Sequence, residues 1–291
     1  MPHQIQILER LLTEFTDKEG IRQIFVRGSI SNGRFDRSSD TDLAIVVDDA
    51  VFGNYLRILD DLMMVTFGAV LPGWVDKIVP DFGGTGLVYL VRAQDGQVFQ
   101  LDIYVAPAST ANFANIRAGE IKRLFPYPDN SPIPSNCAPD ALAQKLVLDE
   151  IVKFWQEKDT VESDFVAVCV HAVMILKRIQ RATFWLNMSN SVGLLESIRQ
   201  LLRRKYCSGL REYGWYKFDA IVVDQTSQEL ALELKDLATL LLPAASFSSV
   251  ERSFSLAVRI MSTCFPEEYQ ALRLPSNFIL ETIQRYSLSL N

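Results

Sequence analysis

The chain has 291 residues, 48% hydrophobic and 22% charged, enough for one large domain or two ordinary ones; this composition excludes collagen-like, low-complexity and coiled-coil architectures. Thirty-five acidic against 29 basic residues leave a net charge of −6, which argues against a protein devoted to gripping nucleic acid and suits a cationic small molecule better. Two histidines and four widely spaced cysteines supply neither a zinc site, a disulfide framework nor a histidine-based triad, so chemistry run by carboxylates and metal is expected.

Met1 to Arg10 lack the apolar core of a signal peptide, and no apolar run approaches the roughly 20 residues that cross a bilayer, so a cytoplasmic protein without membrane association is expected. Ile5, Leu8, Leu12 and Phe15 recur at helical spacing and predict an opening amphipathic helix. Ile24 to Val26 and Leu43 to Val47 are short and β-branched, and predict two strands flanking a loop rich in Gly, Ser and Asp. Asn54 to Phe67 predicts a helix, and Leu87 to Val91 and Val98 to Val105 predict strands joined by a turn at Ala93 to Gly96. Gly83-Gly84-Thr85-Gly86 has no Lys-Ser/Thr and no helix after it, so it reads as a flexible turn and not a phosphate loop.

Five of the twelve prolines fall between Pro126 and Pro139, which predicts a linker at 126–139. Beyond it the strand signals fade. Helices are predicted at Asp140 to Gln156, Ser163 to Phe184 and Leu194 to Cys207, followed by two more that begin at the apparent capping boxes Thr226 to Glu229 and Ser248 to Glu251. The fold class is therefore α+β: a small mixed sheet with helices over 1–125, then an all-helical domain over 140–291. His171, between apolar neighbours, reads as a buried histidine, and Trp155 and Trp185 read mainly as core residues.

The chemistry concentrates in one stretch. A strand runs into Gly28-Ser29, and Asp40-Thr41-Asp42 leads into the next strand. In extended chain Asp40 and Asp42 share a face and can bind hard cations, while Gly28 lets backbone approach a ligand and the Ser29 amide and hydroxyl suit a phosphate. Two divalent ions beside a triphosphate call for a third carboxylate. Asp102 fits, because Gln100, Asp102 and Tyr104 alternate with Phe99, Leu101, Ile103 and Val105, placing Asp102 on the polar face of a strand that could neighbour the one carrying Asp42.

Gly28-Ser29, Asp40-x-Asp42 and Asp102 together resemble the nucleotidyltransferase (polymerase beta) superfamily. Phe67-Gly68-Ala69-Val70, Gln100-Leu101-Asp102-Ile103 and Phe154-Trp155 are similar to the aminoglycoside adenylyltransferases, and Trp185 to Ser189 to the lincosamide nucleotidyltransferases. The resemblance implies a catalytic domain at 1–125, an acceptor-binding helical domain at 140–291, and transfer of a nucleoside monophosphate from a nucleoside triphosphate, ATP by preference, to a hydroxyl of a cationic small molecule. It further implies Mg²⁺, two ions, on Asp40, Asp42 and Asp102; nucleotide contacts from Arg27, Gly28, Ser29 and Ser39; and a general base at Asp102 or, as second choice, Glu150. A lincosamide, a protein or tRNA hydroxyl, and a nucleotide-binding module without catalysis remain the alternatives.

Overall fold

In the computed structural model every residue is described except 1–2, 17, 32, 37, 77–81, 114–115, 117–140, 208–214, 216–217, 219–224 and 289–291. The proline-rich stretch at 126–139 lies outside the described residues, as does Cys137. The chain divides into two compact units, Met1–Asp159 and Thr160–Asn291.

The first unit is built on a five-stranded mixed sheet. Its elements are α1 (His3–Thr16), β1 (Ile21–Arg27), α2 (Gly28–Ser31), β2 (Thr41–Val47), α3 (Phe52–Phe67), β3 (Trp74–Asp76), β4 (Thr85–Arg92), β5 (Val98–Pro107) and α4 (Ala141–Glu157). The strand order is β1-β2-β5-β4-β3. Only β2 and β5 run parallel, and the segment between them supplies the long connection that a parallel pair requires. Residues of odd number in β2 and β5, such as Leu43, Ile45, Leu101 and Ile103, pack with α1, α3 and α4 in one large core. Ala44, Val46 and Tyr104 point the other way and meet Phe25, Phe82, Phe113 and Ile116 in a smaller one. On α1 the buried side chains are Leu8, Leu11, Leu12 and Phe15, the face set by its apolar spacing; each contributes about 1.5–3 kcal/mol of burial. α3 closes on Gly68, which takes the left-handed conformation at φ 71 and returns its N–H to Met63 O.

The alternation in β5 does not mark a solvent face. Every residue from Val98 to Pro107 is buried, because β5 is the central strand and both faces of the sheet carry a core. Nor is the glycine cluster a flexible turn. A Cβ on Gly83 would sit 1.8 Å from Thr110 O and one on Gly84 1.9 Å from Val105 O, so these glycines let two backbones pass in contact. The short β3, only three residues long, carries no legible strand signal.

The second unit is helical: α5 (Val161–Gln180), α6 (Phe184–Tyr206), α7 (Gln228–Leu241), α8 (Phe247–Cys264) and α9 (Pro266–Leu288). α5 is its centre, packing against α6, α8 and α9 and burying apolar residues on all sides. The helix predicted to Phe184 stops at Gln180, because Ala182 adopts φ 52, and α6 then starts at Phe184, ten residues before its predicted beginning. Both predicted caps move. Ser227, one residue after Thr226, accepts from Leu230 N, and the capping box at α8 is Ser246 with Ser249, two residues earlier than predicted. α9 is not among the predicted helices; Pro266 is its first residue, where its missing N–H costs nothing. His171 is buried, with the Gly193 backbone so close that a Cβ there would lie 2.2 Å from Nε2. Trp185 is 73% exposed and belongs to no core. Among the described residues no helix is long and apolar enough to cross a membrane.

Candidate active site

At the end of β1 the chain turns sharply through Gly28, at φ 68, into the single turn α2. Ser31 Oγ donates to Gly28 O at 2.8 Å and Arg34 N to Ser29 O at 3.0 Å, which fixes the turn. The following loop is organised by its own polar residues. Asp36 Oδ1 accepts from Ser38 N and Ser38 Oγ, each at 2.8 Å, and from Ser39 Oγ at 3.1 Å, while Asp36 N donates back to Ser39 Oγ at 2.9 Å. Gln4 of α1, itself buried, donates to the carbonyls of Asp36 and Ser39. These bonds hold the loop that delivers Asp40 to the start of β2.

Strand register then decides which acids meet. Arg27 of β1 pairs with Asp42 of β2, Asp42 with Asp102 of β5, and Asp102 with Val88 of β4, forming one row across four strands. Residues paired in this way point to the same side of the sheet, so the Asp42 and Asp102 side chains are direct cross-strand neighbours. Asp42 also lies against the turn: a Cβ at Gly28 would come within 2.4 Å of its Oδ2. Asp102 is buried, and both of its oxygens accept from the amide nitrogen of Gln100, at 2.9 and 3.0 Å.

Tyr104, two residues on, shares this face. Its hydroxyl donates to Asp76 Oδ2 at 3.1 Å, and its ring occupies the space left by Gly86, where a Cβ would be 2.5 Å away. Burial raises the Tyr104 hydroxyl far above its ordinary range, and the charges of Asp102, Asp76 and Asp42 raise it further, so it remains a proton donor among three carboxylates. Arg27 Nε donates to Ile116 O at 3.2 Å, and its guanidinium lies over the rings of Phe82, at 4.3 Å, and Tyr104, at 5.8 Å.

The residues singled out in the sequence therefore separate into groups. Gly28, Asp42 and Asp102 are brought together, Ser29 follows Gly28 in α2, and Asp40 lies just before β2. Ser39 is only 2% exposed, and its hydroxyl is engaged with Asp36, so it braces the loop from within. Glu150 is not brought to the carboxylate pair. It pairs with Arg57 of α3 at 2.9 Å, on a helix that covers the opposite face of the sheet. Gln100, Tyr104, Asp76 and Asp36 are additions to the sequence reading; only the alternation of Gln100, Asp102 and Tyr104 could have indicated the first two.

Among the described residues no three His, Cys, Asp or Glu side chains converge as a ready-made metal cage. Two opposed carboxylates still fit the requirement of Mg²⁺, a hard ion that usually takes one or two protein carboxylates and completes its shell with phosphate oxygens and water.

Residues 8–80 match the nucleotidyltransferase domain family. The matched segment contains Gly28, Ser29, Asp40 and Asp42 and ends before Asp102. It supports a transferase enzyme of the nucleotidyltransferase superfamily, with nucleotidyl transfer as the general activity and a nucleoside triphosphate as substrate. Comparison with curated proteins finds no match.

Proposed function

We propose that the protein transfers AMP from ATP to a hydroxyl of a cationic small molecule of the aminoglycoside type, releasing pyrophosphate. The observation that carries this reading is the register that sets Asp42 directly opposite Asp102, with the Gly28 turn held against the Asp42 carboxylate. The acceptor oxygen attacks the α-phosphorus, a new P–O bond forms as the bond to the β-phosphate oxygen breaks, and pyrophosphate carries away the electron pair. Asp102 is the carboxylate that takes the hydroxyl proton, a task for which its orientation by Gln100 prepares it. Ser29 and the neighbouring amides of α2 hold phosphate oxygens, and the Gly28 backbone allows their close approach.

Asp42 and Asp102 would hold a divalent cation, with Asp40 at the strand mouth as the further ligand a second ion requires; when bound, the metal neutralises charge on the triphosphate. Arg27, at the β1 end of the row, tied to Ile116 O and stacked on two rings, balances part of its charge. The acidic surroundings of Tyr104, together with a net charge of −6, favour an acceptor that brings its own positive charge.

The test is direct. Purified protein is incubated with Mg²⁺ and each nucleoside triphosphate against panels of aminoglycosides and lincosamides, and products are read by mass spectrometry. A nucleotidyl adduct on an aminoglycoside, formed best with ATP, is the expected result. A lincosamide adduct would move the acceptor to that class, and no adduct on any drug would contradict the small-molecule antibiotic reading.

A further inference from the structure

We infer that Gln100 is a positioning residue for Asp102, setting the carboxylate that the proposed transfer uses; the inference rests on that reading of the site. Gln100 and Asp102 stand two apart on the central strand and so point to one face of the sheet. Both are almost completely enclosed, at 3% and 6% exposure. A carboxylate taken out of water in this way must find donors within the protein. Gln100 is one of them: its Nε2 lies 2.9 Å from Oδ1 and 3.0 Å from Oδ2.

This near-symmetrical arrangement has a geometric consequence. Near-equal distances place the nitrogen on the plane that bisects the two oxygens, so one side chain tethers both of them. The amide is neutral and adds no charge to a face already carrying Asp42 and Asp76. A lysine or arginine in its place would hold Asp102 as well but would cancel the negative charge that a metal or a substrate proton needs. Neighbouring β4 places Val88 opposite Asp102 and Leu90 opposite Gln100, both apolar. Partners in this outer position typically govern metal affinity or activity by 10- to 100-fold.

The test compares wild type with Gln100→Met, which keeps length and volume but has no donor, and with Gln100→Glu, which keeps shape and replaces the donor with a second acid. Three readouts are taken: Mn²⁺ affinity from the loss of the free-ion electron paramagnetic resonance signal, kcat and KM for the nucleotide in transfer assays, and thermal melting. Gln100→Met is expected to melt as a folded protein, to weaken Mn²⁺ binding about tenfold or more, and to lower kcat by a similar factor with nucleotide KM within about twofold. Gln100→Glu should lose more than Gln100→Met on both readouts, because two carboxylates in contact resist joint ionisation. A wild type that binds Mn²⁺ and transfers nucleotide, beside a Gln100→Met protein equal to it in kcat and Mn²⁺ affinity, overturns the inference alone. A fall in melting temperature with unchanged Mn²⁺ affinity and kcat reduces Gln100 to a packing residue and also overturns it. A wild type that neither binds Mn²⁺ nor transfers a nucleotidyl group overturns the functional reading, and the inference with it.

Discussion

Replacing Gly28 with alanine separates backbone strain from damage to the carboxylate pair. The substitution forces a side chain into the left-handed region, at φ 68, which costs about 1–2 kcal/mol. It also puts a Cβ 2.4 Å from Asp42 Oδ2, where ordinary van der Waals contact begins near 3.4 Å, so the carboxylate must retreat by about 1 Å. A displacement of that size at a reacting centre costs on the order of 10²-fold in rate. Gly33 provides the control. It has φ 73, yet a Cβ there meets nothing within 4 Å, so Gly33→Ala carries the same strain without the collision. Both variants should melt lower by about 2–4 °C per kcal/mol lost. In single-turnover nucleotidyl transfer, Gly28→Ala should fall about 100-fold and Gly33→Ala less than about threefold. Equal rates for the two would refute the argument that Gly28 exists to make room for Asp42.

Stability provides further checks. His171 is held neutral by burial, its pKa lowered from 6.5 to about 4, so the unfolded chain binds the proton first as pH falls. Its contribution is therefore intact above pH 6.5 and lost progressively down to about pH 4; urea denaturation should show about 2 kcal/mol less stability from this group at pH 5 than at pH 7.5, a slope that His171→Gln removes. Gly193→Ala drives a methyl group against His171 and should lower the melting temperature of the helical unit even at pH 7.5. Asp60 accepts from the buried Tyr89 hydroxyl at 2.9 Å and from Gly73 N at 3.0 Å and pairs with Lys158. Asp60→Leu leaves two buried donors unmatched and should cost roughly 2–4 kcal/mol in chemical denaturation, with nucleotide KM unchanged.

Elements whose periodicity dominates a long window were legible in advance: α1, α3 and the four longer strands lie within a few residues of their expected positions. Features set by backbone conformation or by tertiary partners were not. Ala182 at positive φ ends α5 before its predicted end at Phe184, and Pro275 lies inside α9, whose packing tolerates it. The sequence allowed the Asp102 strand to neighbour β2, and it does, with Asp102 opposite Asp42; that both faces of β5 would be covered depended on a strand order that alternation alone does not encode. Glu150, the second choice for base on the resemblance, is paired by helix packing with Arg57. Ser39, expected as a nucleotide contact, and Ser38 are both gathered by the Asp36 carboxylate, which loop composition does not reveal.

The central claim is that the Asp42–Asp102 pair carries nucleotidyl transfer. The most direct measurement follows ATP-dependent pyrophosphate release and acceptor adduct together, in wild type, Asp42→Asn and Asp102→Asn, with circular dichroism confirming equal folding. The account predicts stoichiometric adduct and pyrophosphate from wild type and a loss of at least about 100-fold in both variants. Turnover in either variant within a few-fold of wild type would contradict it.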